Sequence, residues 1–413
     1  MSLNRRIFLK NSALAMVGIG AAPLWLQRTM YASETTAQRK KILVAIFQRG
    51  AADGLNIVVP HGEKRYYELR PTLQVPQPSA SVDKEKSVID LDGLFGFNPA
   101  LAPLKPLWDG GHLALIHAAG SPDPTRSHFD AQDYMESGTP GMKNIDGGWM
   151  NRALLPVQGK HSPVRALALG ATLPRTLRGV NDAVAIESLR SFQVRDANAA
   201  KIFEDLYLAT DDQVLNGTGK ETFEAVSILK KVQSSPYTPA NGATYPNGRF
   251  GDSLRQIAQL IKADVGVEVA FADYGGWDHH VQEMNALPNM LRDFGGSLAA
   301  FWNDLGDLRE DVVVVTMSEF GRTAKENGTR GTDHGHANVM FVMGGPVKGG
   351  KVYGKWPGLA EHELYEKRDL AVTTDFRAVL GEVVSNHIGN KDVAKVFPGY
   401  QGGPQDFRGF LKV

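Results

Sequence analysis

Apolar and polar positions follow two rhythms along this chain, and the points where one gives way to the other outline its elements. "KKILVAIFQRGAADG" opens with Ile42–Phe47, apolar throughout and rich in branched residues, which predicts a strand buried on both faces. Similar runs predict strands at "GHLALIHAAG" (Gly111–Gly120), "VRALALG" (Val164–Gly170), "GVEVAFADYGG" (Gly266–Gly276), "DVVVVTMSEFG" and "ANVMFVMGG". The 3.6-residue rhythm takes over between them. "SPDPTRSHFDAQDYMESG" reads as a loop and then a helix from about Ser127 to Gly138. "DANAAKIFEDLYLA", "KETFEAVSILKKVQ" and "DSLRQIAQLIKAD", the last with Asp252 as its N-cap, make residues 185 to about 264 a helical insertion. "HVQEMNALPNMLRDFGGSLAAFWNDL" predicts a long helix interrupted near Pro288, and "KRDLAVTTDFRAVLGEVVSNHIG" a closing helix or two. Strands alternating with helices predict an α/β architecture around a mostly parallel sheet, whose functional loops gather at the strands' carboxyl ends.

The first 32 residues stand outside that pattern. "NRRIFLK" followed by "SALAMVGIGAAPLWL" has the form of a twin-arginine export signal, which implies the translocase as a partner and a periplasmic or secreted location. The apolar run is too short to span a bilayer, so no integral membrane protein is expected. Residues 40–413 are then the folded domain. With 413 residues, 42% of them hydrophobic, the chain can bury a sizeable core. Cleavage of residues 1–32 removes Arg5, Arg6, Lys10 and Arg28 and no acid, taking the formal charge from zero to −4. A weakly acidic chain is a poor ligand for nucleic acid. There is no cysteine, so a metal site would use His, Asp, Glu or hydroxyl ligands.

Candidate chemistry sits where the strands end. "GGWDHHVQ" and "TDHGHAN" place four of the 11 histidines in two short windows. In extended backbone, residues two apart face the same way, so Asp278 and His280 share a target, as do His334 and His336. One carboxylate and several imidazoles suit Zn²⁺ or a similar divalent ion. Asp333 adds a carboxylate to the second window. Asp53 in "RGAADG" is a further candidate ligand, or a turn aspartate before glycine. Glu319 in "SEFGRT" is another, with Arg322 placed to grip an anionic substrate oxygen, or the two form a structural pair. Ser127, at a predicted helix start, is either an N-cap or a metal-activated nucleophile, with Thr125 a rival hydroxyl and His128 a possible ligand.

"FQRGAADGLN", "SHFDAQDYMESGTP", "GGWDHH", "SEFGRT" and "GTDHGHANVMFVMGG", in that order, resemble the alkaline phosphatase/sulfatase superfamily. More closely, the chain resembles an uncharacterised, twin-arginine-exported bacterial family placed within it. The resemblance implies a three-layer sandwich and metal-dependent hydrolysis of a phosphate or sulfate ester, on a small molecule or glycan. It maps a first-strand aspartate onto Asp53, the nucleophile onto Ser127, an Asp–His pair onto Asp278 and His280, and a late histidine onto His334 or His336. Those enzymes carry Asp-His after the strong hydrophobic strand, where this chain has Glu319 and Phe320. That departure admits a second reading, a catalytically degenerate binding or assembly module of the cell envelope.

Overall fold

The computed structural model describes residues 40–78, 86–156, 161–189 and 213–412. The export-signal segment and "DANAAKIFEDLYLA" lie outside them. Nine strands form one sheet. Eight are taken in chain order as β1 (Ile42–Arg49), β2 (Leu113–Gly120), β3 (Ala166–Leu169), β4 (Val184–Ile186), β5 (Val269–Gly275), β6 (Val312–Met317), β7 (Asn338–Gly344) and β8 (Lys351–Tyr353). The ninth, β9 (Thr374–Asp375), pairs with the end of β2. The sheet order is β8-β2-β7-β6-β1-β5-β3-β4. The pairs β6–β1, β1–β5, β5–β3, β3–β4, β2–β8 and β2–β9 are parallel, and β7 runs against both its neighbours. The α/β architecture expected from the alternating rhythms is the one observed.

Both faces of the sheet are covered, which explains why its central strands are continuous apolar runs. Ile42, Val44 and Ile46 of β1 and Val312 and Val314 of β6 belong to one core. That core takes its helical cover from α2 (Gln213–Ser234), α3 (Arg249–Lys262) and α4 (Glu283–Leu305), through Leu229, Leu254, Phe294 and Phe301 among others. Leu43, Ala45, Phe47, Val313 and Val315 point to the second core, where α5 (Phe376–Val383) contributes Phe376, Val379, Leu380 and Val383. Burying one such side chain contributes about 1.5–3 kcal/mol, so the two cores dominate the folding energy.

Several boundaries differ from the sequence reading. Helix α4 continues through Pro288, because the residue lies in its second turn and only one backbone bond is forgone. Helix α3 begins at Arg249, three residues before the expected cap, and Asp252 bonds Arg255 and Gln256 from inside its first turn. A small three-stranded sheet of Val58–Val59, Gly96–Phe97 and Ile89–Asp90 was not anticipated, since two-residue strands carry no readable alternation. Residues 184–186, at the start of the expected helical insertion, form an edge strand. Among the described residues, no helix is long and apolar enough to cross a membrane.

Candidate metal centre

The parallel strands β1, β5 and β6 end at one rim. Strand β7 is antiparallel, so it begins there, and the loop before it arrives at the rim without folding back. Helix α1 (His128–Ser137), reached from the end of β2, starts at the same place, with Ser127 as N-cap and Gly138 closing it in the left-handed conformation at φ 70°.

The "WDHH" window splits as extended backbone predicts. Trp277 and His279 are buried, and Asp278 and His280 emerge at the rim. The window sits tightly against β1. At Gly50 the backbone takes φ +117°, and a Cβ there would stand 2.7 Å from the Asp278 nitrogen, so no other residue fits.

Three imidazoles and one carboxylate converge. His334 Nε2 lies 3.0 Å from His128 Nε2 and 3.0 Å from His280 Nε2. Asp278 closes the figure, with Oδ1 3.0 Å from His280 Nε2 and 3.3 Å from His334 Nε2, and Oδ2 3.5 Å from His128 Nε2. Ligands about 2.0–2.1 Å from a tetrahedral Zn²⁺ are themselves roughly 3.3 Å apart, so these edges have the right length.

The far side of each ring decides what the near side can do. His128 Nδ1 bonds Glu319 Oε1 at 2.8 Å, His280 Nδ1 bonds Asp333 Oδ1 at 2.9 Å, and His334 Nδ1 bonds the Arg126 carbonyl at 2.9 Å. Carboxylate and carbonyl oxygens only accept, so each Nδ1 carries a proton, and the Nε2 lone pair of each ring, when the ring is neutral, faces the common point. Lone pairs 3.0 Å apart repel unless something positive lies between them. One proton can serve one pair of nitrogens, whereas a metal cation accepts from all the donors together. His128, Asp278 and His334 form a group whose donor atoms all lie within 4.8 Å of one another, and His280 adjoins it through His334 and Asp278.

Electrostatics around the centre follow from these contacts. The bond to Glu319 raises the pKa of His128. Burial lowers that of His334, and the positive charge of Arg322, joined by His128 when that ring is protonated, works the same way. Burial works to raise the Asp278 carboxyl, but Arg322 beside it holds it below the ordinary range. Phe320 is buried with its ring 5.0 Å from both His128 and His334, an apolar wall for the two imidazoles.

The structure brings together Asp278, His280 and His334 of the sequence candidates and gives five others different work. Asp53 is buried and paired with Arg70, whose Nη2 bonds Asp53 Oδ1 at 3.0 Å, and it does not join the donors at the rim. Glu319 is also buried. Its Oε1 accepts from His128, Gln132 and the Gly50 backbone, and its Oε2 from Ser318, so it orients the His128 ring from behind. Asp333 has the same task toward His280. His336 does not share the target of His334. The chain bends after Gly335, and His336 Nε2 bonds the Ser121 carbonyl at 3.0 Å. Arg322 does not reach out for substrate. Its buried guanidinium bonds the carbonyls of Gly50, Ala51, Trp277 and Thr332 and holds Asp278 Oδ1 at 2.5 Å. Ser127 is exposed at the start of α1, and its hydroxyl makes no capping bond.

From sequence, His128 is only an alternative ligand. The legible signal was the spacing of His128, Gln132 and Glu136, which puts all three on one helical face.

A family model described as "Protein of unknown function (DUF1501)" matches residues 114–397. The chain belongs to this family. No curated protein matches. Solved structures similar to it come from the superfamily that the sequence resembles. One is a protein in the alkaline phosphatase superfamily from Vibrio parahaemolyticus, at 9% identity and a TM-score of 0.31, covering 74% of this chain and 60% of that one. The DUF1501 chain thus spans only 60% of the Vibrio protein's length. A sulfatase from Pseudoalteromonas sp. is 12% identical with a TM-score of 0.39, covering 91% and 72%. Alkaline phosphatase from the Antarctic bacterium TAB5 is 12% identical with a TM-score of 0.30, covering 75% and 93%. These similarities do not bear on the chemistry of this chain's own site.

Proposed function

We propose that this DUF1501 protein is a metal-dependent hydrolase of phosphate or sulfate esters, working in the periplasm after twin-arginine export. The observation that carries the reading is the convergence of three Nε2 lone pairs and the Asp278 carboxylate, each imidazole fixed from behind by an acceptor. Such a donor set fits Zn²⁺ or a similar ion, which when bound acts as a Lewis acid and lowers the pKa of water or a hydroxyl. His128, His280, His334 and Asp278 would hold it. Glu319, Asp333 and the Arg126 carbonyl fix the tautomers, and Arg322 fixes Asp278. Ser127 is the candidate attacking group. It adjoins the ligand His128 at the positive end of a ten-residue helix, and its hydroxyl is uncommitted.

The test is elemental analysis of the purified protein together with hydrolysis of aryl phosphates, phosphodiesters and aryl sulfates. A stoichiometric metal, lost in His334→Ala, and turnover abolished in Ser127→Ala are the expected results. A wild-type protein that holds no metal ends the proposal.

A second reading is favoured by one observation. Four protein donors can close a tetrahedral shell, as in structural metal sites, whereas catalytic sites keep a position open. A binding or assembly module stabilised by its metal would show full metal content and no turnover of any of these esters.

A further inference from the structure

His128, Gln132 and Glu136 stand at four-residue intervals on α1, and all three are engaged on its sheet-facing side. Glu319 Oε1 accepts from His128 Nδ1 at 2.8 Å and from Gln132 Nε2 at 2.8 Å. At its other end, the Gln132 amide oxygen accepts from Arg49 Nη1 at 3.0 Å. Arg49 is held in turn by Glu136 at 2.8 Å and Asp273 at 2.6 Å, with its guanidinium 4.4 Å from the centre of the Phe47 ring. Three consecutive hydrogen bonds therefore join Arg49 to the His128 ring. The Gln132 amide cannot turn over. A carboxylate at one end only accepts, and a guanidinium at the other only donates.

We propose that Gln132 and Arg49 are positioning residues of the metal centre, locking Glu319 so that the His128 lone pair points at the ion. This inference rests on the metal reading above. Among the described residues, the other two imidazoles are backed differently: His334 leans on a peptide carbonyl, and His280 on the half-exposed Asp333, whose Oδ1 also accepts from Asn327 Nδ2 at 3.2 Å. Glu319 is buried, so each donor it loses matters. With Gln132 gone, its carboxylate follows its remaining donors at Gly50 and Ser318, and the ring of His128 loses its fixed orientation. Arg49 acts one step further back by holding the amide.

Zn²⁺ alone, titrated into the full chain against a chromophoric chelator, tests this. Outer partners of metal-bound histidines are worth roughly 10–100-fold in affinity, the loss expected for Glu319→Gln. Gln132→Leu and Arg49→Met, one and two steps behind Glu319, should weaken Zn²⁺ binding by roughly three- to tenfold and alter the visible bands of the Co²⁺-loaded protein. Arg49→Lys keeps a donor and should restore most of the affinity. An unchanged Kd and Co²⁺ spectrum in both variants overturns the proposal, as does a lowered Tm with Kd unmoved, since that is a structural role alone. If Gln132→Leu does not fold, Arg49→Met decides, because its side chain lies partly at the surface. A wild-type chain that binds no Zn²⁺ fails earlier and differently, by removing the centre itself.

Discussion

Two polar regions of this molecule share a boundary at Thr332 and are built on opposite principles. In the deeper one, Asp53, Arg70 and Glu283 are fully or almost fully buried. Arg70 spends its donors on Asp53 and on the carbonyls of Thr323 and Ala324. Burial and the neighbouring Asp53 charge push the Glu283 carboxyl well above its ordinary range, while Arg70 keeps Asp53 charged against its own burial. Thr332 and Asn56 supply donors to Glu283. Every group there answers another. At the rim, the groups agree on a point in space instead, with lone pairs facing lone pairs. Mutual satisfaction marks the region that holds the fold, and convergence marks the rim, which in the reading proposed above would hold a cation. The Thr332 hydroxyl serves the first and its carbonyl, through Arg322, serves the second.

The contrast can be broken most forcefully from the inner side. Arg70→Met leaves a buried carboxylate without its cation and should cost about 3–5 kcal/mol in urea unfolding. A loss below about 1 kcal/mol would mean that the inner network is not structural. At the rim, His334→Ala removes the donor common to both imidazole contacts. Affinity for Zn²⁺ should fall by more than about a hundredfold, beyond the range for outer partners, with little change in metal-free stability. A variant that unfolds without losing affinity would erase the distinction between the regions.

A subtler probe uses the histidines of the interior. Burial pushes His117 down to about 4, and its two ring nitrogens are already engaged by the Val58 carbonyl and the Ala118 backbone N–H. The unfolded chain takes up a proton as pH falls through about 6.5, whereas the folded protein does not until about 4. Stability is therefore complete above the unfolded value and lost as pH drops through this window, by about 2 kcal/mol at pH 5 from this residue. His117→Asn should flatten that part of the pH dependence, and an unchanged slope would show that the ring is not held neutral. The smallest effect belongs to His336. His336→Asn should leave the Zn²⁺ Kd within about twofold, because the ring bonds a carbonyl away from the centre. A larger shift would return His336 to the ligand set.

Much of the fold could be read directly. Val312–Met317 is a continuous apolar run because both its faces are covered, and the limits of α1 were legible to within about a residue because Gly138 ends it. The half-site at Asp278 and His280 was legible for a similar reason, since extended backbone fixes the side to which alternate residues point. The same rule failed at His334 and His336, where Gly335 lets the chain bend. Asp53, Glu319 and Asp333 have the right chemistry for ligands, and only their distances to Arg70, His128 and His280 show that they serve as partners.

What the sequence determined by itself is local: strand runs, helix limits, and the supply of imidazoles and carboxylates at strand ends. Local rules suffice there because backbone geometry repeats over two or four residues. Tertiary structure alone decided which nitrogens meet. His128 and His334 are separated by 206 residues, and their encounter depends on β7 running against its neighbours and on a buried arginine drawing three loops together. A ligand and its orienting partner are the same residue types at the same rim, and only the distance between atoms tells them apart.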